Sequence, residues 1–287
     1  MKRSRVFNQL LKISYTSYRY LLICWMNFNK SIIRSLPRGD YVFSNFLEKV
    51  SSEFTTVQLP IGEIRFVTPN WLTRYRALTF FTKEPETLEW ISGFEPDETL
   101  WDIGANVGLY SVYAASKGVN VYAFEPSALN IESLTRNVMI NGYEREIVVM
   151  PFALTESDGI TTLFMSRENF RTGGAHNSIG KPINQYGEKF SQPLEIRTLS
   201  LSVDSCVEIL NIKMPSHLKI DVDGCELQVL KGARETLRQV KSVLIEIYPQ
   251  NKSSGEVTNI LEESGLQWQQ SDLIQSANQI WARNGRD

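Results

Sequence analysis

The chain has 287 residues, of which 42% are hydrophobic and 22% charged, with a formal net charge of −2. That balance belongs to a folded globular protein of one large domain with an appendage, and it excludes a disordered or low-complexity chain. Three cysteines, Cys24, Cys206 and Cys225, sit without CxxC spacing. This argues against a disulfide framework or a zinc site and fits a reducing, cytoplasmic setting. Residues 1–39 hold eight of the 30 bases and none of the 32 acids, so the remainder carries an excess of ten acids. An acidic body disfavours a polyanionic substrate, and nucleic acid is not the expected partner.

Taken in chain order, Phe7, Leu10, Leu11, Tyr18, Leu21, Leu22, Trp25, Phe28 and Ile32 recur at helical spacing. The apolar run Tyr20–Met26 is far too short to span a bilayer. The plainer reading is a helix packed on its own domain or on a second subunit, as in a homodimer. A basic amphipathic helix through residues 1–39 also suits peripheral contact with an anionic membrane, and the Arg-rich, acid-free start is compatible with a targeting peptide. Pro37 and Gly39 break the pattern. The expected division is therefore a basic helical extension over 1–50 and a main domain over 51–287, with 51–95 as a lead-in and 96–287 as the core.

In the lead-in, Thr56–Pro60 and Glu63–Thr68 read as a hairpin turning at Pro60–Gly62, and Thr87–Gly93 as a helix. The core alternates strands at 99–103, 120–124, 146–150, 217–221 and 243–247 with helices at 107–116, 128–141, 226–239 and 255–263. Glu156–Glu195 is less regular, rich in Gly, Ser and Asn. Leu266–Gln269 and Gln279–Arg283 suit a closing antiparallel hairpin. The alternation predicts an α/β fold with a Rossmann-like, mostly parallel sheet covered by helices on both faces. Ligands of such sheets bind at the carboxyl ends of the strands, where the strand order reverses.

That edge carries the chemistry. Asp102, Gly104, Asn106 and Gly108 leave the first core strand and open a helix, and Glu125-Pro126 ends the next strand. Glu125 follows Gly104 by 21 residues, a spacing that lets its carboxylate accept both ribose hydroxyls of an adenosine. A dinucleotide site needs GxGxxG, whereas this loop reads GxxxG, with Asp102 at its entrance. An acid there repels a pyrophosphate and suits the sulfonium and ammonium of S-adenosylmethionine. The plainer role for Asp102 is to cap the loop backbone. Asp221, Asp223 and Glu226 follow the fourth strand. An acid ending a buried strand beside a cofactor calls for a function, and Asp221 is a candidate general base or acceptor-orienting group. For Glu226 a helix-start role competes. Asp221, Asp223 and Glu246 offer hard oxygens that would suit Mg²⁺ or Ca²⁺, although a hydrogen-bonded acidic network without an ion is the favoured reading. His176, in a glycine-rich stretch, is the other candidate base, and His217 reads as structural. Arg76 and Glu84 reach the pocket or form a surface ion pair.

These segments resemble the FkbM-type methyltransferases, a class I S-adenosylmethionine-dependent family. The resemblance rests on Trp101–Ser111, Ala123–Ser127, Leu218–Glu226 with Leu230–Ala233, Val243–Ile247 and, upstream, Arg76–Thr87, and it spans roughly residues 60–285. The family commonly has Glu where this chain has Asp223. The resemblance implies that Asp102, Gly104, Asn106 and Gly108 line the methionine end of the cofactor. It further implies that Glu125 holds the ribose, and that the adenine lies against Pro151–Leu154, which includes Ala153. It also implies O-methylation of a small-molecule or glycan acceptor. An NAD-dependent oxidoreductase and a non-catalytic cofactor-binding module remain the rivals.

Overall fold

A computed structural model describes residues 15–60, 62–175, 177–184, 186, 188–248, 253–269 and 277–283. The chain divides into two compact units, Met1–Glu53 and Phe54–Asp287. The first contains helices α1 (Tyr15–Ser35) and α2 (Gly39–Ser51). Their turn demands glycine, since a Cβ on Gly39 would lie 1.7 Å from the carbonyl oxygen of Ile33. No helix of the described residues is long and apolar enough to cross a membrane.

The second unit opens with an antiparallel hairpin, β1 (Phe54–Gln58) and β2 (Glu63–Val67). Three short helices follow: α3 (Trp71–Leu78), α4 (Phe80–Lys83) and α5 (Pro85–Ser92). The first two were not legible in the hydrophobic pattern. The signal of α3 is local, a reciprocal capping box in which Asn70 and Thr73 satisfy each other's backbone N–H groups.

The core then runs β3 (Thr99–Ile103), α6 (Leu109–Ala115), β4 (Asn120–Phe124), α7 (Ala128–Asn141), β5 (Ile147–Met150), β6 (Ala153–Leu154), β7 (Gly159–Met165), β8 (Ser178–Ile179), β9 (Leu194–Leu201), α8 (Val203–Leu210), β10 (His217–Ile220), α9 (Glu226–Lys231), α10 (Arg234–Leu237), β11 (Ser242–Glu246), α11 (Ser254–Glu263), β12 (Gln267–Gln269) and β13 (Asn278–Ala282). The main sheet has seven strands in the order β12-β13-β11-β10-β3-β4-β5. Neighbours from β11 to β5 pair in parallel, and the β12/β13 hairpin adds antiparallel to β11. The mostly parallel Rossmann-like sheet with its closing hairpin is thus present. Strand order reverses at β3, which lies between β4 and β10, so the crevice opens over the ends of β3 and β10.

Two expectations are corrected. The stretch read as irregular contributes β7 and β8 to a second sheet, ordered β6-β9-β7-β8, in which β7 and β9 pair antiparallel from Gly159↔Ser200 to Met165↔Leu194. Its two long strands, β7 and β9, are partly exposed and interrupted by polar residues, which blunts the apolar signal. The helix expected over 226–239 is broken at Gly232. A Cβ there would meet the Thr155 carbonyl oxygen at 2.2 Å, and Asp204 caps the new start by accepting from the backbone N–H groups of Glu235 and Thr236.

Beneath the sheet, His217 is structural. Its ring stacks on Phe94 at 3.7 Å, Nδ1 meets the Ser242 hydroxyl at 2.7 Å, and Nε2 meets Glu98 at 2.9 Å. Burial raises the Glu98 carboxyl, but bonds from Lys241, His217 and the Glu95 backbone overcome it and hold the pKa at about 2. Burial lowers the His217 ring below its ordinary 6.5, against the pull of Glu98. Both pKa values are depressed in the fold, so the unfolded chain binds more protons, and stability rises with pH. The His217 contribution is lost as pH falls below 6.5, and that of Glu98 as pH falls from 4.5 towards about 2. Urea denaturation of the parent and a Glu98 variant over the same pH series should show their difference in unfolding free energy shrinking as pH falls below 4.5. Glu98→Gln should cost about 1–3 kcal/mol at pH 7 and flatten the acid limb. A variant as acid-labile as the parent would remove this cluster as the cause.

Candidate active site

The site is built on one backbone contact. Gly104 leaves β3 at φ +83°, and a Cβ there would lie 1.9 Å from the Asp221 carbonyl oxygen at the end of β10. Only glycine lets the two strand exits approach so closely. The backbone N–H groups of Gly104 and Ala105 both donate to the Phe124 carbonyl, folding the loop over the end of β4. Asn106 follows in the left-handed region at φ +53°, and its backbone N–H donates to Glu125 Oε2 at 2.9 Å. Ser127 N–H donates to Glu125 Oε1 at 2.8 Å. Burial pushes the Glu125 carboxyl up to about 7 despite these bonds.

Around this loop lies a crevice of two lobes. The first is lined by Gly104, Asn106, Glu125, Pro126, Ala153, Asp221 and Asp223, together with an apolar wall that includes Phe152, Leu154, Leu163 and Ile179. The fold therefore brings together seven of the residues singled out in the sequence. The second lobe shares Gly104, Asn106 and Asp221 and adds Arg76, Lys83, Glu84, Tyr110 and Lys219. Arg76 and Glu84 thus do reach the pocket. His176 lies outside the described residues, although its neighbours Ala175 and Asn177 line the first lobe.

Asp102 and Gly108 line neither lobe. Asp102 pairs in register with Lys219 of β10, so the two side chains share a face of the sheet. Its Oδ2 accepts from the Ser111 hydroxyl at 2.6 Å, and its Oδ1 lies 3.5 Å from Lys219 Nζ. The charge read as facing a ligand is spent on an internal ion pair instead. Gly108 serves packing: at φ +78°, a Cβ would sit 2.2 Å from Leu134 Cδ1.

Lys219 is the residue that sequence reasoning missed. Its ammonium is buried between Asp102 and Asp221, 3.3 Å from Asp221 Oδ2 and 5.2 Å from the centre of the Tyr110 ring. Burial opposes its charge, but Asp221, Asp102 and Glu84 outweigh burial and raise its pKa. Burial likewise raises Asp221, yet Lys219 and Lys83 reverse the effect and keep that carboxyl below its usual range. A lysine inside an otherwise apolar strand segment was the available signal.

Beside Asp221, carboxylate oxygens of Asp223 and Glu246 complete a group whose members all lie within 4.8 Å of one another. Burial and the Asp221 charge push Glu246 up to about 8, although the Tyr248 hydroxyl donates to it at 2.8 Å. Glu226 accepts from Gly224 N–H at 2.9 Å, and burial raises it to about 7. Around neutral pH, Asp221 carries its charge while Glu246 and Glu226 hold protons much of the time. The Tyr248 ring meets Tyr186 edge-on at 5.3 Å.

The segment that runs into the first lobe at Ala175 and Asn177, its roof, is tied down by polar side chains. Arg76 donates twice to the Gly173 carbonyl, at 3.1 and 2.9 Å. Asn106 and Asn130 both donate to the Gly174 carbonyl, and Asn70 donates to that of Thr172. Asn130 Oδ1 in turn accepts from Gly173 N–H.

This donor set fits an adenosine carrying a cation. Glu125 can take ribose hydroxyls, the apolar wall offers a slot for a base, and Asp221 faces a positive charge. Among the described residues, the first lobe has three carboxylates and no Lys or Arg to meet a pyrophosphate.

Comparison with known proteins agrees. Residues 102–267 match the model of the methyltransferase FkbM domain. The chain is 28% identical over 193 residues to the hexuronic acid methyltransferase AglP of Haloferax volcanii, covering 67% of this chain and 73% of that protein. It is 27% identical over 189 residues to the methyltransferase sdnD of Sordaria araneosa, covering 58% and 72%. It is 23% identical over 192 residues to the 31-O-demethyl-FK506 methyltransferase FkbM of Streptomyces tacrolimicus, covering 60% and 73%. With over half of its length matched by that one domain, the chain belongs to the FkbM methyltransferases and is an S-adenosylmethionine-dependent enzyme.

Proposed function

We propose that the enzyme methylates a hydroxyl oxygen on a sugar or another polyhydroxylated small molecule. The observation that carries this reading is Asp221, a carboxylate held ionised by Lys219 at the point where the two lobes meet. The relatives are in keeping with it, one being named for a hexuronic acid and another for a 31-O-methyl position.

Glu125 and the apolar wall of the first lobe would hold the adenosine, and Asp221 would face the cationic centre. Bound S-adenosylmethionine supplies a methyl group already activated by its sulfonium. What remains for the protein is to align the acceptor, exclude water and take a proton. Asp221 accepts a hydrogen bond from the acceptor hydroxyl and takes its proton as the O–CH₃ bond forms. The roof pinned by Arg76, Asn106 and Asn130 limits water in the first lobe. The Tyr186–Tyr248 pair lies next to Glu246 and offers a face for the C–H side of a sugar ring, with carboxylates nearby to receive its hydroxyls. An acceptor hydroxyl suits these acids better than an acceptor carboxylate would.

In this reading a divalent cation is not required. Asp221 already has Lys219 as counter-ion, and Glu246 is engaged by Tyr248 and holds a proton to about pH 8. Turnover should be unchanged after EDTA treatment and exhaustive dialysis; loss that Mg²⁺ or Ca²⁺ restores would make the cluster a metal site instead.

Asp221→Asn should leave the cofactor dissociation constant within several-fold of the parent and lower kcat about 10²–10⁴-fold. Unchanged kcat would release Asp221 from proton transfer. Glu125 binds ribose best as the anion, and its carboxyl is raised to about 7, so cofactor affinity should weaken as pH falls through that value. Calorimetric titration between about pH 5.5 and 8.5 tests this, and Glu125→Gln should bind weakly with a flatter pH trend than the parent.

A further inference from the structure

We propose that the Met1–Glu53 unit seats the enzyme on an anionic lipid surface through one face of α1. Leu21, Trp25, Phe28 and Ile32 recur at i, i+4, i+7 and i+11, within an arc of about 60° on a helix. All four are exposed, at 60, 63, 65 and 45%. Helix α2 packs elsewhere: Lys30 and Arg34 of α1 sit over the Phe43 ring of α2 at 5.7 and 5.6 Å. Those two bases lie roughly opposite the stripe on the helical wheel. Within the unit, the aromatic stripe therefore faces away from its helical partner.

Charge complementarity selects the occupant. Residues 1–39 carry eight bases and no acid. A second copy docked stripe to stripe would bring two such segments together, and their like charges would repel. An anionic lipid surface attracts the same charge and accepts Trp and Phe at headgroup depth. α1 is too polar to span a bilayer, so it lies along the surface with its apolar face inserted. The placement does not depend on which acceptor is methylated.

The full-length protein is sedimented with vesicles of phosphatidylcholine alone or containing about 30% phosphatidylserine, at about 0.1 and 0.5 M NaCl. Binding should be at least about 10-fold stronger to the anionic vesicles at low salt and largely lost at high salt. The double variant Trp25→Ser/Phe28→Ser should lose about 10-fold or more in vesicle binding while keeping parental cofactor affinity by calorimetry. A second variant, with Lys2, Arg3, Arg5 and Lys12 changed to Gln, keeps the stripe and should lose the preference for anionic lipid. No binding to anionic vesicles at low salt, or equal binding to both vesicle types, overturns the proposal. So does a dimer in sedimentation velocity that the double variant abolishes without any vesicle binding, which would assign the face to a second copy.

Discussion

Lys219 is the interaction on which the site depends. An ammonium with 2% side-chain exposure sits between two carboxylates, one inside the fold and one on the crevice wall. Removing three charges from water is expensive, and buried ion clusters are often no more stabilising than an apolar core. What this cluster supplies is placement. Because β3 and β10 pair with Lys219 opposite Asp102, the cation is fixed by sheet register rather than by a mobile loop. Ser111 at the start of α6 completes the anchoring of Asp102, and the Tyr110 ring covers the ammonium. Asp221 thereby keeps its carboxyl below the usual range although burial alone would raise it.

The carboxylates at this edge divide into two kinds as a result. Asp221 has a cation beside it and is depressed, whereas burial raises Glu125, Glu226 and Glu246 to about 7, 7 and 8. Groups that differ in proton affinity, set side by side, are the usual basis for assigning acid and base roles. Here the difference arises first from Lys219, with Lys83 and Arg76 adding to it.

The central sheet was legible because its strands are buried runs bounded by glycine and polar turns; β3, β4 and α7 fall where the pattern places them. Glu125, Asp221 and the Gly104 turn were legible because strand ends in such sheets face one edge. Where the structure adds to this reading, packing and strand alternation are the reason. Asp102 looked like a ligand-facing acid from its position before the glycine, but alternation along β3 turns it towards Lys219. Gly108 looked like part of the loop's ligand surface, but it makes room for Leu134 from α7. Lys219 stayed unread because a single cation in an apolar strand signals burial without naming its partners. The second sheet escaped because Gly159–Met165 begins with exposed Gly and Ile and half-buried threonines.

The roof shows how a glycine-rich segment, flexible-looking in sequence, becomes part of a fixed site. Gly173 adopts φ +79°, and a Cβ there would come within 2.9 Å of Thr73 Cγ2. Small residues let the chain pass close over α3 and leave its carbonyls pointing at four donors: Asn70, Arg76, Asn106 and Asn130. Asn106 makes two further contacts, with its backbone N–H on Glu125 and its side-chain oxygen on Val107 N–H. The residue in the left-handed turn after Gly104 therefore couples three things: the loop geometry, the acid proposed to bind ribose, and the cover above it. Asn130 lies on the face of α7 that also carries Asn137, whose amide joins Val67 of the hairpin to the Val107 carbonyl. Through that buried pair of asparagines, the lead-in hairpin, the cofactor loop and the roof are held by one helix. The polar side of α7 is thus turned inward, because its asparagines satisfy backbone groups that strand pairing leaves open at the crevice.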